Sequence, residues 1–311
     1  MRGPVIRQGA GAPPNRWRAA AQVFDLTGAV AAGADVIAGG VLVGALSEQP
    51  ERVAAAAVGI ALLAAATSGM RRHFALLPVR PLVTELSGPK PPSWWWPTSL
   101  VLLLVGLALG GLTGTKTWAL LALVGLIRAL VAISPQRGGV ASAVTGALAR
   151  AGGLAAGLAL DWRLMFERLE VLGIMAIFFL ALGALQLHRQ PEWRQGTPLL
   201  ALLHVVGATV LTLYPVSLRF ETGLDFWFLL AAYLVLVFPP LTQAAMQPTL
   251  TRTRAAWLRV EAGVFLLEAT LVAGYVSLAA GLMMATAFVV VGALRGWQDP
   301  EVGQEAPVGR A

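Results

Sequence analysis

The chain has 311 residues, 57% of them hydrophobic and only 13% charged, where soluble domains carry about 25% charged residues. This excludes a soluble protein, which would lack the polar surface to cover itself at this length, and marks a polytopic membrane protein. The formal charge of +7 falls mostly between apolar spans, which suits arginines beside anionic headgroups. No soluble region is large enough to present a basic face to nucleic acid. The lack of cysteine excludes disulfides, thiolate metal sites and cysteine nucleophiles.

Residues 1–24 hold four arginines and three prolines and read as a flexible, basic, cytoplasmic leader. The first apolar span starts near Gly28, too late for a cleaved signal peptide. Nine apolar spans follow, near 28–46, 53–70, 98–112, 118–133, 140–160, 169–187, 199–218, 226–246 and 260–294. Each must be helical, because an unpaired backbone group in lipid costs several kcal/mol. As a helix the second span covers about 27 Å, close to a bilayer core. Span 98–112 is short, so the preceding WWWP extends it into the interface. Span 260–294 is long enough to tilt, to kink at Gly274 or Gly281, or to extend into water. The expected organisation is a single transmembrane domain over 25–295 and a tail over 296–311.

Basic residues set the orientation. With the N-terminus inside, the inner segments hold Arg2, Arg7, Arg16, Arg18, Arg71, Arg72, Arg80, Lys90, Arg137, Arg189, Arg194, Arg252, Arg254 and Arg259. The outer segments hold Arg52, Lys116, Arg163, Arg168, Arg219, Arg295 and Arg310. The excess predicts an inner (cytoplasmic) membrane protein with a cytoplasmic N-terminus and an external C-terminus.

Small residues recur four apart at Gly40/Gly44, Gly106/Gly110 and Gly153/Gly157, a spacing that lets helix backbones approach in lipid. The stretch 138–157 has little bulk on any face and reads as a central helix, against which a lipid chain can also lie. Trp94, Trp95 and Trp96 read as an interfacial belt or as a ligand clamp.

After the second span, Pro78-x-Arg80-Pro81 with Ser87-Gly88 behind it resembles the P-x-R-P…SG segment of the UbiA superfamily, the intramembrane prenyltransferases. Thr27, Ala34-Asp35 and Ala38-Gly39 are similar to the first helix of its EboC-type branch. Gly146-x-x-x-Arg150-Ala151 resembles the G-x-x-R-A of that branch's fifth helix. Glu268-Ala269 stands where a DA pair is common, and Arg137 where many members keep a lysine. The resemblance covers roughly residues 20–295 and implies an all-α, UbiA-like bundle of about nine transmembrane helices around a central cavity. It also implies Mg²⁺ and a prenyl diphosphate held by N-D-x-x-D-x-x-x-D. Counted back from Arg80, those positions fall on Ala65, Ala66, Gly69 and His73, so every aspartate is missing. The second acidic motif reduces to Glu192 within HRQPEWRQGTPL.

Mg²⁺ takes carboxylate oxygens, and the two motif loops offer only Glu85 and Glu192. No metal ligands and no catalytic residue are assigned; a site built on His73 and His188 lacks a third ligand, and His204 reads as a bundle residue. Guanidinium groups pair with phosphate directly. Arg71, Arg72, Arg80, Arg137, Arg150 and Arg189 are therefore the candidate substrate-binding residues, or else obey the positive-inside rule alone. Asp35, Arg128, Arg150, Glu261 and Glu268 lie inside or near spans; Arg150, mid-helix, needs a buried anion, with Asp35 and Glu268 as candidates, either as a structural ion pair or as the lining of a cavity. Two functional readings follow: a prenyltransferase homologue handling an isoprenoid or other hydrophobic substrate, or a non-catalytic relative, a pseudoenzyme, that binds or helps export a hydrophobic metabolite. A secondary transporter would show discontinuous helices in two related halves, and none is visible. Membrane lipid and a hydrophobic small molecule are the expected partners.

Overall fold

The computed structural model describes residues 16–75, 94–133, 139–187, 196–219 and 224–298. In chain order its helices are α1 (Arg16–Val23), α2 (Leu26–Leu42), α3 (Ala45–Glu48), α4 (Pro50–Ala75), α5 (Trp95–Gly111), α6 (Thr115–Ile133) and α7 (Val140–Leu158). They continue with α8 (Trp162–Glu167), α9 (Leu169–Gln186), α10 (Thr197–Arg219), α11 (Leu224–Met246), α12 (Leu250–Tyr275) and α13 (Leu278–Gln298). No strand occurs among the described residues. By length and composition, α4, α6, α9, α11 and α13 can each cross a membrane, and α2, α5, α7 and α10 add shorter apolar segments. The remaining long helix, α12, carries Arg252, Arg254, Arg259, Glu261 and Glu268.

The helices form a ring in which α2 packs on α4, α7 and α13, α7 packs on α6 and α9, and α9 to α13 close the other side. Tyr233, Phe178, Phe179 and Phe265 are fully buried in the interior. Leucines and valines such as Val101, Leu104, Leu126, Leu203, Val235 and Val289 stand exposed on the outer faces of α5, α6, α10, α11 and α13. With polar contacts turned inward and aliphatic bulk outward, the bundle matches a lipid surround.

Backbone proximity holds α2 against α7. A Cβ on Gly157 would lie 2.1 Å from the Val36 carbonyl oxygen, and one on Gly39 would lie 2.4 Å from that of Leu154. The small-residue spacing therefore finds its partner at Gly157, whereas Gly153 has only ordinary contacts. Gly106 likewise meets Gly59 across α4 and α5. Gly44 does something else: with φ at +72° it turns the chain from α2 into α3, and no atom stands near its absent side chain.

Two features depart from expectation. Residues 16–23, inside the anticipated flexible leader, form α1, which touches α2, α4 and α13. The anticipated span 260–294 is two helices: the chain breaks at Val276, and Ser277 Oγ accepts from the Ala280 amide at 3.2 Å to start α13. The break falls between Gly274 and Gly281 rather than at either. A Cβ on Gly281 would lie 2.7 Å from the Ala269 carbonyl oxygen, so the glycine lets α13 fold back onto α12. Folding back brings the end of α13 to α1. The C-terminal helix thus ends at the same end of the bundle as the N-terminus, not at the opposite one.

Candidate functional site

The site is a cavity of about 330 Å³ at the end of the bundle where α2, α7 and α12 begin and α4, α6, α9 and α13 finish. Thr67, Ser68 and Arg71 reach it from α4, Arg128 from α6, and Thr145 and Arg150 from α7. Phe179 and Gln186 come from α9, Trp257 and Glu261 from α12, and Arg295 from α13. Asp25 lines it from the N-cap of α2, where its carboxylate accepts from the Gly28 amide at 3.2 Å.

Arg150 sits at the inner wall, half-buried. Its Nε donates to Asp35 Oδ2 at 2.6 Å and its Nη2 to Oδ1 at 2.5 Å, a bidentate pair with a fully buried carboxylate. The guanidinium also lies 4.9 Å from the Phe179 ring and 5.8 Å from the Phe265 ring. Of the two candidate anions, the structure therefore pairs Asp35 with Arg150. Glu268 lies beside both, close enough to Asp35 for the two carboxyls to interact directly, yet its oxygens are buried and Arg150 does not bond to them.

At the opposite wall Arg295 meets both oxygens of Glu261, Nη2 donating to Oε1 at 3.0 Å, and its guanidinium stacks 4.5 Å over Trp257. The fold-back of α13 brings this arginine to the cavity. Arg128 lines the same cavity, within electrostatic reach of Arg150, Asp35 and Asp25. Its Nε is buried without a hydrogen-bond partner, and it makes no ion pair among the described residues.

The candidate residues from the sequence divide into three groups. Arg71 and Arg150 line the cavity, and Asp35 and Glu268 stand behind it. Arg80, Arg137 and Arg189 lie outside the described residues, as do His188, Glu85 and Glu192; Arg72 and His73 fall in the last turn of α4, with side chains that are not described. Ala65, Ala66 and Gly69 are absent from the cavity lining: a Cβ on Gly69 would lie 2.4 Å from Ser99 Oγ and 2.9 Å from the Phe24 ring, against α5. The cavity face of α4 is instead Thr67, Ser68 and Arg71, with Thr67 and Arg71 one helical turn apart. Of the three tryptophans, Trp95 is buried 6.5 Å from Phe24 while Trp94 is exposed. His204 Nδ1 lies 2.7 Å from the Leu200 carbonyl oxygen within α10.

Sequence reading missed Arg295 and Trp257 as cavity residues, and placed Arg128 and Glu261 in the membrane without giving them a site. The signal for Arg128 was present, since an arginine inside an apolar helix demands an anion. Arg295 had none, because its position follows from a chain reversal.

A solved structure reported for digeranylgeranylglyceryl phosphate synthase in membranes superposes with a TM-score of 0.62, at 11% identity, over 84% of this chain and 99% of that one. The fold is UbiA-like. Neither the protein-family models nor the curated proteins give a match. The UbiA-like fold is matched at an identity that speaks for architecture alone.

The Mg²⁺ expected of a UbiA-type transferase can be tested against the donors at hand. Octahedral Mg²⁺ needs carboxylate oxygens free to turn toward it. Asp35 and Glu261 each already hold an arginine, and Asp25 caps a helix. On α4 the cavity-facing positions are two hydroxyls and an arginine. No group of three or more His, Asp or Glu that could hold a metal occurs among the described residues. These residues do not fit the metal.

Proposed function

We propose that this chain is a UbiA-like membrane protein that takes an isoprenoid-like or other hydrophobic molecule into the cavity, binding it rather than transferring a prenyl group. The UbiA-like fold supports a long-chain ligand. One observation carries the rest: the cavity is walled by Arg71, Arg128, Arg150 and Arg295, with a cation where metal-holding acids would be needed on α4. Guanidinium groups suit an anionic head but cannot activate a diphosphate leaving group by Lewis-acid chemistry. A binder that helps to export a hydrophobic metabolite, as suggested for EboC-type relatives, agrees with this wall. The positive-inside excess supports an inner-membrane location with the cavity end and N-terminus cytoplasmic. The fold-back of α13 adds Arg295 to that side, which strengthens the bias.

Prenyl transfer is the second reading, favoured by the fold, with Glu85 and Glu192 as its sources of acid. The two are separated by incubating purified protein with a labelled long-chain prenyl diphosphate and a photoreactive isoprenoid. Labelling of α4, α6 or α7 without release of inorganic diphosphate, with or without Mg²⁺, is the expected result. Mg²⁺-dependent diphosphate release would restore the enzyme, and no labelling would end the isoprenoid reading.

A further inference from the structure

We infer that the lipid head is held directly on Arg128 without a divalent metal, and that the head is a single phosphate ester rather than a diphosphate. The inference rests on the proposed lipid-binding role and names the ligand class for the same cavity. Arg150 is met by Asp35 and Arg295 by Glu261, so neither presents an uncompensated charge. Arg128 lines the same space with no ion-pair partner among the described residues and with Nε buried and unbonded. The indole Nε1 of Trp257, another lining residue, is also buried without an acceptor. Two orphaned donors around one cavity call for a missing acceptor. Arg150, Asp35 and Asp25 all lie within electrostatic reach of Arg128 but none bonds to it, and an anion satisfies a buried guanidinium better than water alone.

Charge also limits the size of the anion. A monoester carries about −1.5 to −2, of which the Arg128 guanidinium offsets half or more. A diphosphate without metal would bring the charge of a second phosphoryl group against the Asp25 and Glu261 carboxylates that line the same space. Thr67 and Thr145 donate their hydroxyl hydrogens to the Leu63 and Ala141 carbonyl oxygens, so Ser68 is the lining hydroxyl that can donate to a phosphate oxygen without adding charge.

The test uses the full chain in phosphatidylcholine nanodiscs, with a long-chain prenyl monophosphate, the matching diphosphate and the parent alcohol, each with EDTA or Mg²⁺. The monophosphate is expected to bind about ten- to a hundredfold more tightly than the alcohol, as a charge-assisted bond provides, and equally well in EDTA. Arg128→Gln should reduce the monophosphate to the level of the alcohol while the alcohol binds as before. Arg128→Lys should keep part of the preference, and Arg163→Gln, near the start of α8 at the far end of the bundle, should keep all of it. If Arg128→Gln fails to fold, Arg128→Lys decides: a reduced preference with alcohol binding kept would support the inference, and an undiminished preference would overturn it. Loss of monophosphate binding in EDTA would overturn it, as would tighter binding of the Mg²⁺-diphosphate or an unchanged preference in Arg128→Gln. Alcohol binding with no phosphate preference sinks the head-group assignment alone. Failure of all three probes would remove the proposed function as well.

Discussion

Arg150→Leu is expected to lower the stability of the protein by about 3–5 kcal/mol, the cost of leaving one member of a buried ion pair without its partner. Asp35 is fully buried, both of its oxygens are taken up by Arg150, and the buried Glu268 carboxyl lies beside it. Removal of the guanidinium would leave two acidic side chains facing each other inside the bundle. It would also take the stacked cation from between Phe179 and Phe265. Asp35→Leu alone should cost a similar amount, because the orphan is then the arginine. The double variant Asp35→Leu/Arg150→Leu should recover most of the loss, since apolar replacements of a buried pair are often neutral. Thermal or SDS-induced unfolding in detergent micelles measures all three. Single variants as stable as the wild type would mean that the pair carries no structural weight, and Arg150 would return to the list of head-group ligands.

The second large effect is expected at the α2–α7 crossing. Gly157→Val should cost about 3 kcal/mol, at the upper end for overpacking, or block assembly of the bundle. Relief is limited because the atoms in the way are backbone: the Val36 carbonyl oxygen at 2.1 Å and the Gly40 nitrogen at 2.9 Å from the new Cβ. Gly39→Val should behave in the same way against Leu154. Gly173→Ala in α9 is the contrasting case, with no atom within 4 Å of its Cβ position, and should gain about 0.5–1 kcal/mol from helix propensity. Monodispersity on size exclusion and melting temperature read both. Equal tolerance at Gly157 and Gly173 would mean that α2 and α7 do not approach as closely as described.

The cavity was partly legible beforehand because charge in an apolar helix is costly. That cost alone singled out Asp35, Arg128, Arg150, Glu261 and Glu268 as groups in need of partners, and the structure sets Arg128, Arg150 and Glu261 in the cavity lining with Asp35 and Glu268 behind it. It did not tell which acid Arg150 would choose, since Asp35 and Glu268 lie on different helices and only their packing ranks them. Nor could counting along the sequence give the face of α4. A helix turns about 100° per residue, so a register two positions away exchanges Gly69, packed on Ser99, for Arg71, which lines the cavity.

The sequence by itself determined the membrane class, the helical fold and the UbiA-like resemblance. All three follow from local properties: apolar length, the demand of lipid for internally paired backbone, and the order of short motifs along the chain. It also determined the lack of aspartates at the counted motif positions, which needs no structure to see. Only the tertiary structure decided that span 260–294 reverses at Val276, that Arg295 thereby reaches Glu261 and Trp257, and that Arg128 lines the same cavity as these two completed ion pairs with its Nε unbonded. These depend on which helix faces meet across the bundle, a relation between residues distant in the chain that no local pattern encodes.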